Sequence, residues 1–367
     1  MAEPVRTQGS VTVLVLNAIR NSASPLYASD VPVATKDNIA LVGDAIYSHD
    51  PTYNEFSGLL NKIALTMTSK RLFENKLSAF KSGSLLTANE VEEYFIKKIK
   101  ASAQSKDGLT TLARMKPDIA KAYYKENRSD TYGITVSFKQ IRSAFRSPDG
   151  VESLMNEIVQ ELYNSANIDE YNIMKELIGQ VEDLAYVYQV PMPTPVEILD
   201  GDANVIGVSN HNIKKFIKTI RKASNDFEEP TSLFHLYQIV DPDDATSLIN
   251  DPEVITFTPK SNQVLFINKD IEAEVSVEVL ATAINVSGVE YPAPRVIVGD
   301  FGTVGTGILA ILADDRFLKV FDTFKELLTQ INAQGAYTNY FLHIDQILAI
   351  SPFCNIAVFK TTDPNAE

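Results

Sequence analysis

The longest regular pattern of apolar and polar residues in the chain predicts a single helix from Val151 to Ile178. Its apolar positions recur three and four residues apart, with no Pro or Gly among them, and so form a stripe on one face. Asp149 and Glu152 have the spacing of a capping box, which marks the helix start. At about 1.5 Å per residue the helix is roughly 40 Å long. This length favours an extended subunit that tiles with its own copies; a core helix of an α/β enzyme is the alternative.

The first third of the chain predicts an arm followed by a helix. Residues 17–56 mix short apolar runs with Pro25, Pro32 and Pro51 and contain no long periodic segment, which is typical of an extended arm that lies on another surface. Tyr53–Met67 then places its apolar residues on one side and predicts a helix.

The segment before the long helix predicts a hairpin. Val91–Ile99 has a strand-like pattern, with a helix as the alternative, and the polar residues 101–108 mark a tip. Tyr132–Phe138 alternates apolar with other residues and predicts the returning strand.

Beyond the long helix, the three prolines within residues 190–195 mark the clearest domain boundary. His211–Lys222 predicts an amphipathic helix whose outward cations suit an acidic partner, a nucleic acid or simply solvent. The Asp-rich residues 241–251 lack the ligand spacing of a calcium loop and predict an exposed loop. Further strands are predicted at Val254–Phe257, Val264–Ile267, Arg295–Val298, Ile308–Leu312 and Asn355–Phe359, and further helices at Val277–Ile284 and Phe321–Ile331.

Composition indicates a soluble protein large enough for two or three packed units, with 367 residues of which 45% are hydrophobic. The single Cys354 excludes a disulfide framework and fits a reducing compartment. The apolar run Val11–Leu16 is too short to span a membrane. A net charge of −14 disfavours general nucleic-acid binding.

The charge is distributed unevenly. Residues 70–146 hold 16 Lys and Arg against 8 Asp and Glu, a local +8, which leaves −22 for the other residues. A basic segment on an acidic body favours contact between copies, although solvated basic faces give the same composition. The candidate subunit contacts are Lys97, Lys98, Lys100, Arg114, Lys116 and Lys121.

Catalytic motifs are largely missing from the sequence. The four histidines, His49, His211, His235 and His343, show no metal-ligand spacing, and Cys354 in its apolar run reads as a buried small residue. The string from Gly305 to Ala310 matches a dinucleotide-binding G-x-G-x-x-A motif. Such a site needs a helix after its second glycine, whereas Ile308–Leu312 predicts a strand. We therefore expect no catalytic, cofactor or metal site.

Collinear strings along nearly the whole chain resemble major capsid proteins of short-tailed phages (podoviruses) of the phi-29 kind. Each string is weak alone, but their shared order is specific. They are NAIRNS (17–22), VPVAT (31–35), FENKLSAFKSGSLL (73–86), ELYNSANIDEYNIMKELI (161–178), VEVLATAIN (277–285), QGAYTNYFLHIDQ (334–346) and SPF (351–353).

The resemblance implies an α+β fold of the Hong Kong 97 type. It places an N-terminal arm at 1–70, an extended loop at 71–146, a peripheral domain with a long spine helix at 147–189, an axial domain at 190–310, and closing strands of the peripheral domain with a tail at 311–367. Some relatives carry an immunoglobulin-like domain after the closing strand, and we expect none here because the sequence stops at Glu367.

The function implied is that of a non-enzymatic structural protein of the virion. Its copies would form the hexamers and pentamers of a phage head, assembled in the host cytoplasm. The expected partners are further copies, a separate scaffolding protein, a portal and packaged double-stranded DNA bound without sequence specificity, with no membrane. The alternatives are an encapsulin-type nanocompartment of the same fold and, remotely, a nucleotide-binding enzyme that uses Gly305 and Gly307.

Overall fold

The computed structural model describes residues 9–35, 37–47, 73–85, 88–101, 116–137, 150–194, 196–199, 205–244, 246–283 and 291–362. These residues mix helices and strands, and they fall into two compact units. Unit 1 comprises residues 1–75, 128–170 and 322–346, and unit 2 comprises residues 76–127, 171–321 and 347–367. The predicted helix Tyr53–Met67 lies outside the described residues.

Unit 1 begins with three helices: α1 (Gly9–Ser22), α2 (Pro25–Asp30) and α3 (Ile39–Tyr47). The prediction of an extended arm is therefore wrong for the described part of residues 17–56. Pro25 starts a helix instead of breaking the chain, because it occupies the first turn, where no amide hydrogen bond is lost, and the Ser24 side chain caps that turn. The helices bury Ile19, Tyr27 and Ile46 in the core of this unit.

The long helix is confirmed as α4, Gly150–Gly179. Leu162 and Ala166 from its apolar stripe belong to the buried core of unit 1, together with Leu342 and Ile344 of a neighbouring strand. Met174 and Ile178, nearer the end of the helix, belong to a buried core of unit 2.

A four-stranded sheet has the order β1-β13-β14-β4. Its strands are β1 (Gly83–Ser84), β4 (Arg128–Ser137), β13 (Leu318–Asn332) and β14 (Tyr337–Ile350). The predicted return strand at Tyr132–Phe138 is thus a strand, but it pairs antiparallel with β14 and not within the hairpin. The helix predicted at Phe321–Ile331 is wrong as well. Its apolar spacing is helical, but pairing within the sheet overrides the local preference.

Unit 2 contains a five-stranded sheet of order β11-β10-β12-β15-β5, whose inner strand pairs are antiparallel and whose two outer pairs are parallel. Every residue of β12 is buried. The strands are β5 (Tyr186–Val190), β10 (Gln263–Asn268), β11 (Arg295–Val298), β12 (Ile308–Asp314) and β15 (Ile356–Thr361). Four strand predictions are confirmed, whereas Val254–Phe257 forms only an isolated bridge through Thr256.

Helices α5 (His211–Asp226) and α6 (Lys269–Ala283) confirm two predictions and share one hydrophobic core with the sheet of unit 2. Two short antiparallel ribbons accompany them: β6 (Val196–Leu199) with β7 (Val205–Ser209), and β8 (Gln238–Val240) with β9 (Leu248–Asn250). Among the described residues, no helix is both long and apolar enough to cross a membrane.

The glycine-rich string after β11 forms a turn. Gly302 and Gly307 have positive φ angles of 77° and 80°, which glycine adopts without strain. Gly305 does not, but a side chain there would collide with Phe301. The string leads directly into β12, so the strand prediction is confirmed and the helix that a dinucleotide site requires does not follow.

Candidate assembly surfaces

The predicted hairpin consists of β2 (Glu90–Ile96) and β3 (Ile119–Lys125), which pair antiparallel in unit 2. Because side chains alternate along a strand, the hairpin has two distinct faces. The outer face carries Glu90, Glu92, Tyr94 and Ile96 opposite Lys125, Tyr123, Lys121 and Ile119. The inner face carries Val91, Glu93 and Phe95 opposite Tyr124, Ala122 and Ala120.

The outer face exposes large apolar side chains. Tyr94 is 54% exposed, Ile96 61%, Ile119 40% and Tyr123 55%. Ile96 and Ile119 are direct cross-strand partners, and the Lys121 ammonium lies 5.0 Å from the centre of the Tyr94 ring. Large apolar side chains exposed together on one face of a two-stranded ribbon are typical of a contact surface. The predicted contacts included only cations and not these apolar side chains; the signal in the sequence was that Ile119 and Tyr123, at alternate positions with Lys121, share one face of a strand.

The inner face packs on the remainder of unit 2. Phe95 stacks on Phe353 with ring centres 5.3 Å apart, and Ala120 shares a small buried core with Val254 and Phe353. Glu93 accepts a hydrogen bond of 2.8 Å from the Ser351 hydroxyl. Its carboxylate also lies 3.0 Å from the Lys319 ammonium and accepts a hydrogen bond from Tyr124.

Lys97 follows β2 directly and is not available to a neighbouring subunit in this structure. Its ammonium lies 2.7 Å from Oδ2 of Asp251 and 3.3 Å from Oδ2 of Asp118. The side chain of Lys97 is 16% exposed and that of Asp251 only 2%. The prediction that residues 241–251 form an exposed loop is therefore wrong at Asp251, because this residue is buried as the partner of Lys97.

The ion pair also shapes the titration of both groups. Burial alone would raise the pKa of Asp251, but Lys97 and the Glu253 amide together hold that pKa below its ordinary value. The pKa of Lys97 is raised above its ordinary value, and the hydrogen bond to the Asp251 carboxylate is the main cause. The contribution of Asp251 to stability is therefore present above the ordinary carboxyl pKa and is lost as the pH falls through the lowered value. The contribution of Lys97 is complete below the ordinary lysine pKa and is lost as the pH rises through the raised value.

The other predicted contact lysines differ in their surroundings. Lys100 forms an exposed ion pair of 2.6 Å with Glu253. Lys98, Lys116 and Lys121 are exposed, and Arg114 lies outside the described residues. Whether these cations touch a neighbour stays a prediction, and Lys98, Lys116 and Lys121 are the members placed to do so.

Helix α5 presents a second charged surface. Its apolar side, which includes Phe216 and Ile220, is buried as predicted. The exposed cations Lys214, Lys215, Lys218, Arg221 and Lys222 occupy the opposite side. Within the described part of the chain, none of the four lysines forms an ion pair with a carboxylate. This basic stripe is therefore a distinct feature of a chain whose net charge is −14.

The structure does not bring together those described groups that are able to carry chemistry. Burial raises the pKa of the Cys354 thiol to about 12, which keeps it protonated and poorly nucleophilic. His235 is fully buried, His211 is exposed, and His49 lies outside the described residues. In the described ranges, no three His, Cys, Asp or Glu side chains cluster as a metal site would require.

Comparison with known proteins gives a family-level match. The model of the Phi29-like phage major capsid protein family matches residues 16–360. The major capsid protein of Bacillus phage B103 is 29% identical over 352 residues, which cover 95% of this chain and 73% of that protein. That of Bacillus phage PZA is also 29% identical, over 357 residues with the same coverages.

Solved structures agree on the fold. A chain of the capsid structure of Staphylococcus phage Andhra superposes with a TM-score of 0.59. The match covers 81% of this chain and 87% of that chain at 11% sequence identity. At that identity the likeness concerns the fold alone, which is that of phage capsid subunits.

Proposed function

The chain belongs to the Phi29-like phage major capsid protein family, and we propose that its copies build the phage head as hexamers and pentamers through the outer face of the β2–β3 hairpin. The protein is a major capsid protein of a phage head, a component of a multi-subunit shell and of the virion. The resemblance, the α+β fold of the Hong Kong 97 type and the capsid function are confirmed. The family is structural, and an encapsulin shell is not favoured.

The apolar outer face of the hairpin is the observation that carries the docking proposal. Within the described chain, Tyr94, Ile96 and Tyr123 are each more than half exposed. Covering such side chains removes apolar surface from water, worth about 25 cal/mol per Å². The cations Lys98, Lys116 and Lys121 then serve as a rim that steers the hairpin towards an acidic neighbour.

Electron microscopy of the purified protein tests the proposal. The wild type should form closed shells with five-fold and six-fold capsomers. Replacing Tyr94 and Tyr123 together by Ser should leave a folded subunit, judged by circular dichroism, that no longer forms shells. Val240→Ser is the matched control, because Val240 is 56% exposed on the separate β8–β9 ribbon. Shells formed equally well by the double Tyr variant would disprove docking through this face.

The basic stripe of α5 supports packaged double-stranded DNA as a partner. Exposed lysines bind phosphates without reading sequence, and the affinity then falls steeply with salt. Replacing Lys214 and Lys218 by Gln should lower the slope of log affinity against log salt by about two, since each phosphate contact contributes about one. Lys260→Gln is the control, because Lys260 is paired with Glu228 on another segment. An unchanged slope would show that Lys214 and Lys218 do not contact the phosphates of the DNA.

A scaffolding protein, a portal and assembly in the host cytoplasm complete the proposal. They follow from the family resemblance. Co-expression with candidate scaffolding proteins tests the first of them: a dependence of shell yield or size on the second protein is the expected result.

A further inference from the structure

We propose that Lys97 and Asp251 are positioning residues for assembly, because their buried ion pair fixes the direction in which the β2–β3 hairpin leaves its own subunit. The inference rests on the proposed docking of the outer face. The sequence predicted that Lys97 contacts a neighbouring subunit. In the structure it contacts Asp251 of its own subunit instead.

The hairpin is attached at three successive inner positions of one strand. Glu93, Phe95 and Lys97 are two residues apart and therefore point to the same side. Glu93 contacts Ser351 and Lys319, Phe95 stacks on Phe353, and Lys97 pairs with Asp251. At about 3.3 Å per residue these contacts span roughly 13 Å. Three attachments along a line fix both the position and the direction of a ribbon.

The Lys97 attachment lies where the two paired strands end. The Lys97 amide donates to the Asp118 carbonyl at 3.0 Å, beyond the last cross-strand pair Ile96–Ile119. The Lys98 amide points to the Glu253 carbonyl at 3.4 Å. The outer-face pair Ile96–Ile119 lies directly beside this attachment, so a shift of the ribbon here moves apolar side chains that are proposed to dock.

Asp251 is held in place independently of Lys97. Its Oδ1 accepts the Glu253 amide at 2.9 Å, its amide donates to the Tyr237 carbonyl at 3.1 Å, and its carbonyl lies 3.1 Å from Nε2 of His235. The Tyr237 amide donates to Nδ1 of the same ring, so Nε2 carries the proton and donates to Asp251. Oδ1 of Asp251 thus stabilises the turn through the Glu253 amide, while Oδ2 lies next to the Lys97 ammonium.

The burial of Asp251, with most of the Lys97 side chain also covered, argues for a positioning role. Removing two charges from water costs about as much as their attraction returns, so a buried ion pair adds little net stability but strongly penalises any arrangement that separates the partners. A pair between apolar side chains would stabilise the same contact without fixing its geometry. The charged pair therefore selects one direction of the hairpin over others.

The test compares Lys97→Met, Asp251→Asn and the double variant. Lys97→Met leaves the buried Asp251 carboxylate without its cation and should melt below the wild type. Asp251→Asn leaves Lys97 with Asp118 alone and should lose less. The double variant removes both charges, and the side-chain amide that replaces the Asp251 carboxylate keeps an oxygen for the Glu253 amide, so its melting temperature should return to that of the wild type. Its shell yield, measured by sedimentation and microscopy, should still fall at least tenfold. Hydrogen exchange at the Lys98 amide in free subunits should accelerate. Lys260→Met, at an exposed pair, is the control.

Each outcome decides the matter. Wild-type shell yield from a stable double variant, or unchanged exchange at Lys98, overturns the positioning role. If the double variant remains unstable, Lys97→Met is assayed below its own melting temperature, and wild-type shell yield from those folded subunits is then the overturning result. If the wild type itself forms no shells, the proposed function fails, while exchange at Lys98 still reports on the attachment.

Discussion

The five-stranded sheet of unit 2 and the β2–β3 hairpin use the same residue types in opposite ways. The central strand β12 is buried along its whole length, and β10 is buried over five consecutive residues. The hairpin instead alternates between an inner face that packs on unit 2 and an outer face with exposed Tyr94 and Ile96. The sheet completes its packing within one subunit, whereas the hairpin leaves apolar surface uncovered.

We expect this difference to separate the residues that set subunit stability from those that set assembly. A side chain surrounded on all sides contributes to the free energy of unfolding of the isolated chain. An exposed apolar side chain contributes little there and contributes when a second copy covers it. Mutations in the sheet should therefore reduce folding and assembly together, and mutations on the outer hairpin face should reduce assembly alone.

The largest effect is expected at Phe359 in β15, which is fully buried and stacks on Tyr188 with ring centres 5.3 Å apart. Phe359→Ala should lower the free energy of unfolding by about 3 to 5 kcal/mol, because it leaves a cavity that the sheet cannot close. Chemical denaturation measures this loss. Phe359→Leu, which fills most of the space, is the control and should lose clearly less; equal losses would mean that packing at this position is loose.

The next effect is expected on α4, where the same helix carries a buried and an exposed apolar residue. Leu162 is 3% exposed and Ile168 is 45% exposed. Leu162→Ala should lower the free energy of unfolding by about 2 to 5 kcal/mol, while Ile168→Ala should change it by at most about 0.5 kcal/mol. Thermal and denaturant unfolding of both variants gives the comparison. A Leu162→Ala variant as stable as wild type would contradict the packing of this helix in unit 1.

The sequence predicted an element correctly where the positions that are apolar in the sequence are also the positions that are buried in the structure. The stripe of α4, the amphipathic α5 and the apolar runs of β10 and β12 each read correctly because burial on one face, or on all faces, leaves a local signature. Helix α2, which starts at Pro25, was missed because its six residues are too few to show a periodic pattern. The segment 321–331 was read as a helix because its apolar residues recur at helical spacing, whereas its pairing with β1 and β14 in the sheet makes it a strand.

The candidate surface was predicted only in outline. Charge counting pointed to the segment that holds the hairpin, but it could not tell which lysine has a partner inside the subunit. Asp251 lies 154 positions after Lys97, and the distance of 2.7 Å between their charged groups depends on the fold. The apolar outer face went unnoticed because short alternating strands resemble solvated ribbons until their exposure is known.

A moderate effect is expected at the turn that leads into the sheet. A Cβ atom at Gly305 would lie 2.7 Å from the Cβ and carbonyl oxygen of Phe301, whereas one at Gly299 would meet nothing within 4 Å. Gly305→Ala should therefore cost about 1 to 3 kcal/mol through overpacking, and Gly299→Ala should be close to neutral. Added NAD, NADP or ATP should shift the melting temperature of neither protein. A saturable upward shift would instead indicate a nucleotide site.

The smallest effect on subunit stability is expected at the rim of the hairpin. Replacing the exposed Lys98, Lys116 and Lys121 by Gln removes charges worth about 0 to 1 kcal/mol each, so the melting temperature of the free subunit should barely move. Shell assembly should slow at low salt and lose much of its dependence on ionic strength, because salt screens the attraction that these cations supply. Light scattering across a salt series measures this dependence.

Lys319→Gln is the contrasting variant: Lys319 is 20% exposed and paired with Glu93, so its loss should lower subunit stability and leave the salt dependence in place. An unchanged salt dependence in the triple variant would assign docking to the apolar outer face alone.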